Sequence, residues 1–358
     1  MRPQLSSLLC LALASFGLLA AEPAAVTTEE GELAGATFTV AVPAHWNGRL
    51  LLLAHGLRPE SVPLYAKLFT DLPPVSALLA QDWMVAITSY RRNGVVIRRA
   101  ITDLERLRTH IAEKYGPPQH TYLMGDSMGG LIVTLMMEQF PEKYSGAVAI
   151  GAALHMAEPE PTVSLRHQPR RPLLFLTNQS ELPGPVSYVE AAAQADVPPV
   201  LWVVARDGHV NVNAAERLLA LGAVQRWAEA GTAPLAQRNA TMIPQPGPSQ
   251  ISIASDGSAT GRVTFVHPIS GSFIVNFQPA DFERLGLKFG QVFHLVAADG
   301  TLIPVVYRRN PEEAESDRWV CTPEAEGFIA IGRPGRNAAT GAHLKKGDAV
   351  VLRPLKTG

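Results

Sequence analysis

The stretch that decides the fold is HTYLMGDSMGGLIVTLMM, His120–Met137. It begins as a near-continuous apolar run, the pattern of a strand buried on both faces. It ends as a helix that runs on to Phe140 and stops before Pro141. Between the two lies Gly125-Asp126-Ser127-Met128-Gly129, a serine flanked by glycines at a strand-to-helix turn. Glycine on both sides lets neighbouring backbone approach closely, so Ser127 is expected to stand exposed at the carboxyl edge of a sheet. Ligands bind at that edge in open α/β sheets.

Working outward, five more apolar runs share this character: Arg49–Gly56, Trp83–Tyr90, Gly146–Ala153, Pro172–Asn178 and Pro199–Ala205. Helical stretches separate them. From Ile97 to Tyr115, the residues Ile101, Leu104, Leu107, Ile111 and Tyr115 form one apolar stripe at spacings of three and four. Val186–Ala195 and Val212–Ala230 also read as helices, and Gly35–Ala44 reads as an antiparallel lead-in strand. Alternation of this kind predicts a doubly wound, mostly parallel α/β sheet.

Both ends differ from this middle. Arg2 followed by the apolar run Leu8–Ala20 and small residues has the form of an export signal, with residues 1–25 removed and the protein secreted or periplasmic. Removal would leave one cysteine, Cys321, and so no intramolecular disulfide. The α/β domain is expected over 26–236 and a proline-rich linker over 237–250. From 251 to 358 short strands alternate with glycine turns, which predicts a small all-β, barrel-like domain. There LKFGQVFHL (Leu287–Leu295) echoes LKKGDAVVL (Leu344–Leu352), a sign of internal pseudo-symmetry. A formal net charge of −1 gives no basic excess for nucleic acid. No cluster has metal-ligand spacing, so neither metal nor other cofactor is expected.

The segment from about Gly35 to Gly231 resembles the α/β-hydrolase family, on the strength of LLLAHG with His55-Gly56, GDSMGG with Ser127, and RDGHVNVN with His209, in that order after successive strands. The resemblance implies a serine hydrolase. Ser127 would be the nucleophile and His209 its base, with the amides of Leu57 and Met128 as oxyanion donors. The acid falls to Glu181, after Pro172–Asn178, with Glu158 and Glu160 as alternatives. His155 and His167 are weaker candidates for the base that could line the pocket. Arg58, Tyr90 and Arg91 lie on loops expected to wall the site and contact substrate, where an arginine could hold a carboxylate. The expected activity is cleavage of a small or polymeric carboxylic ester, including polyesters. An acyltransferase on the same triad, or a binding protein on a hydrolase scaffold, is the alternative. The carboxyl-terminal region resembles, more weakly, the β-barrel domain of S-adenosyl-L-methionine hydrolases. It is expected to bind a surface or partner, or to wall the cleft.

Overall fold

The computed structural model describes residues 25–156, 164–244, 246–268, 270–309 and 317–355. Residues 1–24, where the export signal is expected, and Glu158 and Glu160 lie outside the described residues.

The first sheet runs in the order β1-β2-β4-β3-β5-β6-β7-β8. Its strands are β1 (Val26–Leu33), β2 (Ala36–Pro43), β3 (Arg49–Ala54), β4 (Met84–Thr88), β5 (His120–Asp126), β6 (Gly146–Ile150), β7 (Leu173–Asn178) and β8 (Val200–Val204). From β4 to β8 neighbouring strands are parallel; β1 and β2 join antiparallel. Helices α1 (Val75–Leu79), α2 (Ile97–Tyr115), α3 (Met128–Gln139), α4 (Pro183–Ala191) and α5 (Ala214–Ala230) cover its two faces. The apolar runs are continuous because both faces are buried. Leu50, Leu52 and Ala54 join the core under α2, α3 and α4, while Leu51 joins the core under α1 and α5. Each such leucine contributes about 1.5–3 kcal/mol on burial.

The strand β1 was not legible in the sequence. Its VTTEEGEL is polar and largely exposed, and it is held only as the outer arm of a hairpin. Its turn uses Ala34 and Gly35 at φ of 52° and 88°, the left-handed geometry of a tight hairpin.

A second sheet holds β9 (Ser252–Ile253), β10 (Ala259–Val266), β11 (Phe273–Val275), β12 (Val292–Val296), β13 (Leu302–Tyr307), β14 (Val320–Pro323), β15 (Ile329–Gly332) and β16 (Ala349–Pro354). The order is β11-β15-β14-β13-β12-β16-β10-β9, and β10 also pairs with β11. That pairing closes seven strands into a barrel, with β9 appended. Short helices α6 (Pro279–Arg284) and α7 (Ala338–Gly341) precede the two echoing segments, and β12 and β16 lie side by side with Leu295 opposite Leu352. Cys321 is buried on β14 within this core.

The stretch expected as a linker is fastened to the first sheet. Gln237 exchanges backbone hydrogen bonds with β8, donating to Leu201 O (3.1 Å) and accepting from Val203 N (2.8 Å). The Trp202 indole donates to Leu235 O at 2.8 Å. The segment Leu235–Ala240 thus covers the edge of β8, where unpaired backbone would otherwise invite another strand. The barrel is docked beyond it. The Glu326 carboxylate accepts from the Ala214 amide at 2.7 Å, at the start of α5. Phe265 meets Phe69 edge-on at 5.2 Å.

One glycine ties sheet to helix most closely. A Cβ on Gly129, in the first turn of α3, would stand 1.9 Å from Ala54 O at the end of β3. Gly129→Ala is therefore expected to cost more than about 4 kcal/mol, because backbone must separate from backbone. Urea unfolding of the variant measures this; a cost below about 1 kcal/mol would contradict the packing described.

Candidate active site

The strand β5 and helix α3 meet at Ser127, which holds φ 57° and ψ −117°. A side chain at positive φ costs about 1–3 kcal/mol unless surrounding contacts impose it. Here they do: Ser127 N donates to Ile150 O (2.9 Å), and Ser127 O accepts from Ala153 N (3.1 Å) and Leu131 N (3.2 Å). The preceding Asp126 carboxylate is gripped by both terminal nitrogens of Arg217 on α5, at 2.7 and 3.1 Å. The turn is thereby fixed from below by the helix that follows the histidine loop.

Ser127 Oγ lies 2.8 Å from His209 Nε2, and His209 Nδ1 lies 2.6 Å from Glu181 Oε2. The other carboxylate oxygen of Glu181 accepts from the Val210 amide at 3.1 Å. This leaves Glu181 one geometry and presents Nδ1 with an acceptor, so the neutral ring carries its proton on Nδ1 and offers Nε2 to the serine. Gly151, at φ 50°, makes room for the carboxylate: a Cβ there would stand 2.8 Å from Glu181 Oε1.

Four consecutive side chains, beginning with the last residue of β7, hold the histidine loop. Asn178 Nδ2 donates to Arg206 O (3.0 Å) and Asn211 O (2.9 Å), and Asn178 Oδ1 accepts from Asn211 N (2.8 Å). Gln179 Nε2 donates to Asp207 Oδ1 at 2.9 Å. Ser180 Oγ donates to Gly208 O (3.1 Å) and accepts from Gly208 N (2.9 Å). Glu181 completes the series in a single 3-10 turn, Gln179–Glu181. Asp207 thus belongs to the loop's scaffold. Beneath it, Arg206 pairs with Glu216 (3.0 Å), whose carboxylate also closes the cap of α5 with Asn213.

The end of β3 brings Gly56 against the serine, where an added Cβ would meet Ser127 Cβ at 3.2 Å. Leu57 follows directly, its side chain half exposed. Met128 opens α3, so its amide is one of the first-turn donors with no intrahelical acceptor. The two residues expected to supply oxyanion donors thus adjoin this corner, Met128 directly after Ser127 and Leu57 directly after Gly56. His55 supports this corner from behind. Its ring stacks on Tyr90 at 4.0 Å and reaches Gly56 O (Nδ1, 2.7 Å) and Ser89 O (Nε2, 3.0 Å). Burial, assisted by the Arg58 charge, pulls its pKa down to about 4 from 6.5, despite the two carbonyls, so the ring is neutral. The unfolded chain protonates first as pH falls. The contribution of His55 to stability is full above pH 6.5 and is lost as pH drops toward about 4. The thermal midpoint of the wild type is expected to fall more steeply over that window than that of His55→Gln. Equal slopes would contradict a buried neutral ring.

Two of the expected substrate contacts are corrected. Tyr90 is fully buried, at φ 56°, with its hydroxyl donating to His55 O at 3.2 Å. It braces the oxyanion corner and has no face on the cleft. Arg91 is committed to the buried Asp103, through Nε (2.9 Å) and Nη2 (2.7 Å), and anchors α2. The run SYRRNG carries no periodicity that could have told these directions apart. Arg58, by contrast, lines a cleft beside Leu57. His155 lines a pocket of about 410 Å³ with Glu181, Pro183, Pro185 and His209. His167 packs near the Tyr188 ring at 5.0 Å instead.

Residues 93–184 match the family described as serine aminopeptidase, S33. The match, the sheet order and the turn at Ser127 agree. The amino-terminal part of this chain has the α/β-hydrolase fold. No curated protein matches the sequence. Among solved structures, this chain is similar to an α/β-hydrolase enzyme from a Medee basin deep-sea metagenome library, at 15% identity and TM-score 0.44, covering 58% of this chain and 98% of that one. It is also similar to an esterase of Pyrococcus furiosus, at 14% identity and TM-score 0.44, covering 57% and 90%. A third similarity is to an uncharacterized conserved protein from Thermotoga maritima, at 17% identity and TM-score 0.27 over 28% of this chain. The chain spans 38% of that protein's length.

Proposed function

We propose that this protein is an exported serine hydrolase that cleaves carboxylic esters, polymeric ones included. The observation that carries the reading is the unbroken series from Ser127 Oγ through the His209 ring to Glu181. A serine hydroxyl is a weak nucleophile and gains reactivity only when a base stands within hydrogen-bond reach.

In the proposed reaction, His209 Nε2 takes the hydroxyl proton as Ser127 Oγ attacks the ester carbonyl carbon. The carbonyl oxygen becomes an oxyanion and receives hydrogen bonds from the Leu57 and Met128 amides. Two donors in place before the charge forms need no reorganisation, and each is worth about 3–4 kcal/mol in the transition state. Glu181 stabilises the imidazolium and does not itself take the proton. The tetrahedral intermediate collapses, the bond to the alkoxy oxygen breaks, and Nε2–H delivers its proton to the departing alcohol. Water repeats the sequence on the acyl-enzyme, releasing the acid and regenerating Ser127. Arg2 and the apolar run Leu8–Ala20 support export to the periplasm or beyond.

The ester preference is tested with p-nitrophenyl esters of two to eight acyl carbons beside the matching p-nitroanilides, with and without an alcohol acceptor. Turnover of the esters to free acid is expected. Cleavage of the anilides alone, or transfer to the alcohol in preference to water, would overturn the ester-hydrolase reading.

A further inference from the structure

A cleft of about 760 Å³ opens on the oxyanion side of Ser127, and the barrel supplies half of its wall. From the hydrolase come Leu57, Arg58 and Tyr65; from the barrel come His267, Ser270 and Arg336. The barrel cannot drift from this position cheaply, since Glu326 sits on the first amide of α5 and Pro244 and Pro246 pack over Gly327.

Arg58 is the unusual member. It is half-buried, its guanidinium lies over the Tyr65 ring (3.7 Å), and one terminal nitrogen donates to Tyr65 O (2.6 Å). It makes no ion pair among the described residues. A cation withdrawn from water without a carboxylate is costly, and it persists where something else repays the cost. Among the described residues no carboxylate pairs with it, and the Tyr65 ring and carbonyl hold the guanidinium. Its charge faces the cleft one residue beyond the Leu57 amide, where a bound acyl chain would begin.

The barrel side complements it with donors. The Ser270 amide donates to His267 Nδ1 at 3.2 Å, so the neutral ring carries its proton on Nε2. Burial and the nearby Arg58 charge both hold His267 below its ordinary pKa. On the same wall Arg333 and Arg336 share the single carboxylate of Asp317, at 3.1 and 3.2 Å. The described residues of this cleft therefore present three guanidinium groups against one carboxylate.

We infer that the cleft between the oxyanion loop and the barrel is a subsite for a carboxylate on the substrate's acyl chain, with Arg58 as its principal ligand. The preferred substrates are then half-esters of dicarboxylic acids, or polyester ends that carry a free acid. This rests on the ester-hydrolase reading for its chemistry but not for its binding.

The test compares kcat/KM for mono-p-nitrophenyl glutarate and p-nitrophenyl valerate, which share a five-carbon acyl chain and differ in the terminal carboxylate. In the wild type the charged ester is expected to be favoured. Arg58→Gln is expected to lower the ratio of charged to neutral ester by about tenfold or more, as loss of a charge-assisted hydrogen bond implies. Arg58→Lys should keep part of the preference, and Arg336→Gln should reduce it by a smaller factor. A ratio unchanged in Arg58→Gln would overturn the subsite. Calorimetric titration of glutarate into the full-length wild type and Arg58→Gln tests binding separately from turnover. Binding lost in the variant supports the subsite even if no ester is cleaved. Equal binding, or none to the wild type, overturns it while leaving ester hydrolysis to stand on its own assay.

Discussion

Ser127→Ala is expected to lower kcat toward a p-nitrophenyl ester by about 10⁶-fold, with the unfolding midpoint unchanged or raised. The magnitude is that of a nucleophile acting as one unit with its base. His209→Ala should lose about as much, and the double variant little more than either alone, because neither group accelerates the reaction without the other. The 2.8 Å contact between Oγ and Nε2 is the reason for that coupling. Additive losses in the double variant would mean that the two groups work independently, against the geometry described. Stability should not suffer, since alanine keeps the backbone hydrogen bonds of Ser127 to Ile150, Ala153 and Leu131. The positive φ remains as strain in both proteins.

Glu181→Gln is expected to lower kcat by about 10⁴-fold, the scale associated with trapping the wrong histidine tautomer. The direction follows from the Val210 amide. That N–H donates to Oε1, so the carbonyl oxygen of a glutamine must occupy the Oε1 position. Its NH₂ group then faces His209 Nδ1, which is forced to accept. The ring proton moves to Nε2 and points at Ser127, where a base is needed. Steady-state kinetics across pH 6 to 9 check this, with thermal unfolding as a control for folding. An unchanged rate would move the acid to Glu158 or Glu160.

Much of this fold could be read because parallel strands buried on both faces write continuous apolar runs. Runs such as His120–Asp126 are bounded by turns that leave little choice of ends. The amphipathic stripe of Ile97–Tyr115 likewise fixes α2 at both termini. What stayed hidden depends on contacts across long chain separations. The acidic β1 has no apolar alternation to reveal it. Residues 237–250 read as a linker because proline reports local stiffness and says nothing about docking to β8. At the site, the spacing of Ser127, Glu181 and His209 after successive strands was visible, since strand ends place them at one sheet edge. The side chains that hold them were not. Asn178, Gln179 and Ser180 look like an ordinary polar turn until the loop Arg206–Asn211 is seen to pass beside them. Asp126 lay inside the motif, yet its partner Arg217 is 91 residues away. Tyr90 and Arg91 failed as substrate contacts because an aperiodic loop gives no direction to a side chain. Burial of one and the Asp103 pair of the other are tertiary outcomes.

The central claim is that Ser127 is the nucleophile, and covalent labelling tests it most directly. The protein is incubated with a fluorophosphonate, digested, and mapped by mass spectrometry. A single phosphonyl adduct on Ser127 is expected, slowed strongly in Glu181→Gln and absent in Ser127→Ala. An adduct elsewhere, or equal labelling of wild type and Ser127→Ala, would contradict the account.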